Sequence, residues 1–371
     1  MKKSGVSKLP LHGGKAPSWL VGRMKKLAKP IVRIIVNDYG RDEFLRRLAD
    51  PYWFQSLGCV LGFDWHSSGV STVTTGVLKD VLSSIDVGIF AAGGKGKASL
   101  KAIDEIEEFS DKFNLSSKET NSFKRSSRMT AKVDNVAVQA NAPLYHHAFF
   151  GSEDGEWSVV QQGMDTDKGM ARRYHWISQG FDSFVKEPHE GIVAEKKKKS
   201  VLDLTAEESE ECRKVSTDLV KDGPEKVRRE FESLRPEEQK SLFDWVPKKR
   251  KKQRPVKFLE LPKRLNWAAL EEAYELQPKN FENLVKIEGV GPATARGLAL
   301  VSEVIYGESA SWRDPARFSY AFGGKDGVPY PVDRSAMDKA HKTLKSALEE
   351  AEIGKSEKLK AVKRLEKFSK V

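Results

Sequence analysis

Ile287-Glu288-Gly289-Val290-Gly291-Pro292-Ala293-Thr294-Ala295 is the stretch on which the reading of this chain turns. Before it, Phe281, Leu284, Val285 and Ile287 form a short apolar face at helical spacing. After it, Ala295, Leu298, Ala299, Val301 and Ile305 form another. Two helices joined by so few residues make an αα-hairpin. Gly289 and Gly291 allow backbone angles that a Cβ would forbid. Pro292 suits the first turn of the second helix, where a missing N–H costs nothing. That helix starts with free backbone N–H groups and no acidic side chain in its first turn. Such an end attracts anions, phosphate among them.

The run resembles the helix-hairpin-helix of DNA repair proteins. The resemblance implies that the amides around Gly289, Val290, Gly291, Ala293 and Thr294 hold the backbone of one DNA strand without reading its sequence. Arg296 follows them on the same helix, and a monovalent ion at the hairpin is a further expectation. An ordinary structural turn in an all-α domain is the alternative reading of these residues.

The rest of the composition agrees with a polyanion partner. Among 371 residues, 64 are Lys or Arg and 53 are Asp or Glu, a formal net charge of +11. A pI near 9.3 suits nucleic acid. A hydrophobic content of 39% allows real cores, and the length allows two or three domains. Two cysteines far apart, Cys59 and Cys212, give neither a disulfide framework nor a cysteine zinc site. The start of the chain lacks a signal-like apolar run, and no 18-residue apolar stretch exists. The expectation is a cytoplasmic DNA-binding protein with no membrane contact and with other DNA repair proteins as further partners.

The predicted class is α+β in three parts: a mixed α/β domain over 1–190, a charged helical connector over 191–262, and an all-α helix-hairpin-helix domain over 263–371. In the first part, 17–36 reads as a helix with Trp19, Leu20, Met24, Leu27, Ile31 and Ile35 on one side. Another helix runs from Asp42 to Leu48 and stops before Asp50-Pro51. Val70–Val73 is β-branched, and Gly76–Leu82 reads as helical. Leu144–Phe150 and Trp157–Gly163, joined through Asp154-Gly155, predict a β-hairpin. On it, the adjacent His146 and His147 must face opposite sides. Residues 114–130 read as an exposed loop or helix surface. In the connector, Thr205 with Glu208 has the capping-box pattern, followed by a helix towards Val220. Leu265–Leu276 and Ile353–Phe368 are the further helices expected in the last part.

Six of the seven histidines precede residue 190. Asp64 and His66 share a face if the segment is extended, and with His175 they are the candidate nuclease residues. A carboxylate with an imidazole can bind a divalent metal or serve as base and acid. Arg172 and Arg173 are candidates for phosphate. Gly93-Gly94-Lys95-Gly96-Lys97 enters a helix as a basic glycine loop, with Lys95 and Lys97 as candidate phosphate contacts. It lacks the order of an ATP-binding loop. Lys248–Arg254 is a basic block suited to a DNA-backbone arm.

Two more resemblances extend the reading. Leu9–Gly14, Leu57–Gly69 and Ala171–Trp176 resemble an uncharacterised domain family of archaea and some thermophilic bacteria. Val328–Met337, containing Asp333, resembles the second half of the helix-hairpin-helix glycosylase signature. That likeness implies an aspartate that stabilises the sugar cation as a base leaves, or activates water. Ala293 stands where lyase-type members place a lysine, so strand cleavage through a Schiff base is not expected. Base-excision glycosylase, structure-specific nuclease and non-catalytic DNA- or RNA-binding protein all remain open on these residues.

Overall fold

The computed structural model describes residues 16–63, 68–165, 169–194, 197–234, 261–316 and 342. Asp64, His66, the 248–254 block, Asp333 and the 353–368 helix lie outside the described residues.

Four helices come first: α1 (Ser18–Tyr39), α2 (Arg41–Ala49), α3 (Pro51–Val60) and α4 (Gly69–Ser83). The expected face of α1 buries Met24, Leu27, Ile31 and Ile35, while Trp19 stays exposed. Asp50 ends α2 and caps α3, accepting from the Tyr52 and Trp53 N–H groups at 2.8 and 3.2 Å. Val70–Val73 belongs to α4, against its β-branched composition. Val70, Val77, Leu78 and Val81 are buried at helical spacing, and packing outweighs a weak local preference.

The strands are β1 (Ile89–Lys95), β2 (Val138–Gln139), β3 (Leu144–Ser152), β4 (Trp157–Asp165), β5 (Met170–Ile177), β6 (Gly191–Ala194) and β7 (Leu202–Asp203). Five of them form one antiparallel sheet in the order β1-β3-β4-β5-β6, and β2 pairs with β7. The β3–β4 pair is the hairpin read from sequence, and Gly155 takes φ 86° at its turn.

The remaining helices are α5 (Ala102–Lys112), α6 (Ser117–Val136), α7 (Glu210–Lys221), α8 (Pro224–Ser233), α9 (Trp267–Leu276), α10 (Phe281–Lys286) and α11 (Pro292–Val301). The chain is α+β, with the sheet as a wall between two cores. Phe150, Val160 and Ile177 face α1–α4. Phe149, Val159 and Trp176 face the other way, into a core shared with Leu219, Val227, Leu284, Val290 and Leu298. This is the strand period of two, each pleat dividing its side chains between the cores. The segment after residue 190 supplies β6 and β7 and buries Cys212, Leu219 and Phe231 in that second core.

Two local readings are refined. Residues 117–136 form a 20-residue helix, the second of the two readings, but with one side buried. Its start is a capping box: Ser116 Oγ accepts from the Glu119 N–H, and the Ser116 N–H donates back to Glu119. Thr205 caps no helix; its hydroxyl donates to Asp203 at 2.6 Å, and α7 begins later, at Glu210. A short side-chain turn competes successfully for that hydroxyl.

Candidate nucleic-acid interface and buried polar networks

Gly289 sits at φ 78°, in the region only glycine enters freely. A Cβ there would lie 2.7 Å from Asn266 Nδ2 and 2.9 Å from the Ala269 methyl. Gly291 differs: its φ is −110°, and a Cβ would meet nothing nearer than the Gly289 oxygen at 3.9 Å. It is the N-cap of α11, with Pro292 at the first helical position and no acidic residue in the first turn. Intrahelical bonding starts with the Ala295 N–H on the Gly291 carbonyl. Glu288, Gly289, Pro292 and Ala293 are exposed, whereas the Val290 and Thr294 side chains are buried. Any ligand on the turn therefore meets backbone rather than the Val290 or Thr294 side chain.

Side chains from the sheet half hold this turn in place. Lys132 Nζ of α6 donates to the Ile287 carbonyl at 3.1 Å. Gln139 of β2 donates to the Pro292 carbonyl at 2.8 Å and accepts from Arg296 Nε at 2.8 Å. Asn266 Nδ2 donates to the Gly289 carbonyl at 3.1 Å. An ammonium thus already sits on a hairpin carbonyl, where a monovalent ion was expected. Burial pulls the Lys132 ammonium below its ordinary range, against the Glu288 charge. Arg296 is half-buried between Gln139 and the Trp312 ring, 5.9 Å from its guanidinium.

The exposed side of α6 continues from Lys132 through Arg128 to Arg125, spaced four and three residues apart. Arg125 pairs with Glu282 at 2.5 Å, and Lys286 is exposed beside it on α10. The glycine loop lies at the same end of the sheet as the hairpin turn. Lys95 is opposite His146, and Leu144, two residues on, donates its N–H to Asn135, one turn from Lys132. Lys95 and Lys97 are exposed. Gly93 is at φ 87°, and its N–H donates to Glu105 Oε2 at 2.7 Å, a carboxylate that Lys79 also holds. One amide of that loop is therefore committed to an internal anion.

Three of the candidate residues read from sequence are corrected by burial. Arg172 is 3% exposed, and both its terminal nitrogens donate to Asp314, at 3.1 and 2.6 Å. Arg173 is fully buried on the opposite face, against Gln55, Ser71 and the Phe54 ring. Adjacent strand residues must split this way, and neither guanidinium reaches solvent phosphate. His175 is also fully buried, its Nδ1 on the Leu48 carbonyl at 2.9 Å and its ring edge-on to Phe54. Burial holds it well below the usual histidine range, and the Arg173 charge adds to this. Among the described residues, no group of three or more His, Cys, Asp or Glu could hold a metal.

The sheet's polar residues instead build one network on each face. On the first core's side, Gln162 accepts from Ser71 and donates to the Ser68 carbonyl, and His146 Nε2 meets Thr75 at 3.0 Å. On the second core's side, Asp134 is the hub. It accepts from Trp176 Nε1 at 3.0 Å, from the Gln161 amide and from His189 Nε2. Gln161 passes the chain on to His147 Nδ1 at 2.7 Å, and His147 Nε2 meets Ser127 at 2.9 Å. Asp134 and Gln161 were not singled out in the sequence, and His189 stood out there only as one of the six early histidines. Gln161-Gln162, amides on both faces of an otherwise apolar strand, was the signal that could have found them.

No helix among the described residues is long and apolar enough to cross a membrane. Residues 5–332 match the family model described as Protein of unknown function (DUF763), and the chain belongs to that family. No curated protein matches the chain, and neither does any solved structure.

Proposed function

We propose that this member of the family binds DNA through the backbone amides of the Gly289–Ala293 turn, with the cations of α6 and α10 on the flanking phosphates. The carrying observation is the turn itself: exposed, free of acidic side chains in the α11 first turn, and fixed by Lys132, Gln139 and Asn266. A rigid turn loses little freedom on binding, so its amides act as a preformed anion site. Arg128 and Lys286 extend the positive surface, and Lys95 and Lys97 lie at the same end of the sheet. Backbone contacts of this kind set affinity and register, not sequence choice.

The role is in DNA repair or processing. Within it, the base-excision reading rests on Asp333, which would stabilise positive charge at the sugar in the transition state. The test uses labelled duplexes carrying varied lesions, flaps and gaps, with and without divalent metal. Strand breaks are scored before and after alkali, alongside equilibrium binding. Binding to all duplexes with an intact strand leaves a non-catalytic DNA-binding protein. Base release that survives Asp333→Asn makes the aspartate a helix cap only, and failure to bind any duplex ends the proposal.

A further inference from the structure

His189, held by the buried Asp134, lines a small cavity away from the residues assigned above to DNA. His189 has only 7% of its side chain exposed, and Asp134 has none. The ring lies against Trp176, with centroids 4.4 Å apart, and Tyr174 lies beyond it at 5.8 Å. Its Nε2–H donates to a carboxylate already fixed by Trp176 and Gln161. That bond sets the tautomer, so in the neutral ring the lone pair is on Nδ1. Nδ1 has no partner among the described residues, and the ring lines a small pocket with Glu187, Asp203 and Thr205. The pocket volume is about 10 Å³, room for one water or one ammonium head.

This pocket is the floor of a larger cleft. Glu187, Asp203 and Pro315 line both, and the cleft holds about 500 Å³, within the usual range of small-ligand sites. Glu207, Glu208 and Asp314 add carboxylates to its wall, against Lys197 and Arg313 among the described residues. Asp314 is neutralised by Arg172, and Glu208 pairs with Arg313 at 3.1 Å. Asp203 and Glu207 then stand against Lys197 among the described residues, on a protein whose net charge is +11.

We propose that this cleft binds a small protonated amine, its ammonium donating to His189 Nδ1 at the floor while the carboxylates of the wall balance its charge. An imidazole acceptor at the floor of a cleft with carboxylates on its wall suits a positively charged donor: the ammonium matches the lone pair, and the carboxylates repel anions. Asp134 acts as the positioning residue, holding the ring with its acceptor outward.

Calorimetry with the full chain at pH 8 and moderate salt tests this with butane-1,4-diamine and its uncharged analogue butane-1,4-diol. The diamine is expected to bind at least about tenfold more tightly, the scale of one charge-assisted hydrogen bond. Glu207→Gln with Glu208→Gln, both on the cleft wall, should weaken it severalfold with an unchanged melting temperature. Replacing His189 risks the fold, so its part is read in the intact protein. The side-chain nitrogen resonances of His189 should move on titration with diamine and stay still with diol. Absence of diamine binding, equal binding of the two compounds, or a His189 signal indifferent to bound diamine would each overturn the proposal.

Discussion

Arg172 and Asp314 form a buried two-pronged ion pair, 3.1 and 2.6 Å, that fastens the chain after the hairpin to the middle of the sheet. Asp314 also accepts from the Lys198 and Ala316 N–H groups, at 2.7 and 2.9 Å. Burial alone would raise its carboxyl; the Arg172 charge and these bonds outweigh that and hold it below the usual range. Removing one partner strands the other as an uncompensated buried charge. Arg172→Ala and Asp314→Ala should each cost about 3–5 kcal/mol in urea unfolding. Arg172→Lys should recover only part, because one ammonium cannot make both bonds. A loss below about 1 kcal/mol for either alanine variant would show a pair without structural weight.

Acid should unfold this protein early. Burial lowers His146 to about 3, and burial likewise lowers His147 and His175. These groups are neutral in the fold but free to protonate near pH 6.5 once unfolded. Their contribution is therefore intact above that value and is lost as pH falls from there towards the folded values. With up to three protons taken up on unfolding, the slope should approach about 4 kcal/mol per pH unit near pH 5. The Asp314 contribution is lost separately, lower down, below the ordinary carboxylate range. Urea midpoints at pH 8, 6.5 and 5 check this, and a flat series would show the rings protonating inside the fold.

The two hairpin glycines should separate folding from binding. Gly289→Ala forces a strained turn onto Asn266 and Ala269, and should destabilise by about 1–3 kcal/mol. Gly291→Ala has open space, so its cost should stay near 1 kcal/mol, that of a poorer N-cap. Its methyl would nonetheless stand beside the amides proposed to hold phosphate. DNA affinity should fall several-fold for Gly291→Ala while the melting temperature barely moves. Unchanged affinity in that variant would place DNA elsewhere on the surface.

Salt should weaken DNA binding along a straight line in log–log form, since phosphate contacts release counterions. Arg128→Ser and Lys286→Ser, both exposed, should each lower that slope by about 1 without altering sequence preference. Arg173→Gln is a poor probe of DNA contact, because its guanidinium is enclosed by Gln55, Ser71 and Phe54. Fluorescence anisotropy from 50 to about 300 mM salt reads all three. A slope unaffected by Arg128→Ser and Lys286→Ser would remove α6 and α10 from the interface.

What the sequence by itself determined is local. Glycine at φ 78°, Pro292 opening α11, Asp50 capping α3 and the Asp-Gly turn of the β-hairpin follow from backbone chemistry within a few residues. The opposite facing of His146 and His147 follows from the strand period alone. Only the tertiary structure decided which polar residues were free to act. Arg172, Arg173 and His175 looked available because charge and imidazole are usually on the surface, yet they sit in a central strand covered by helices on both faces. Their partners, Asp314, Gln55 and Leu48, are more than 100 residues away along the chain. Asp134 and His189 meet only because α6 and the segment before β6 pack on one sheet face, 55 residues apart in sequence. Period and propensity encode which side of an element a residue takes; which other element covers that side is set by the packing of the whole chain.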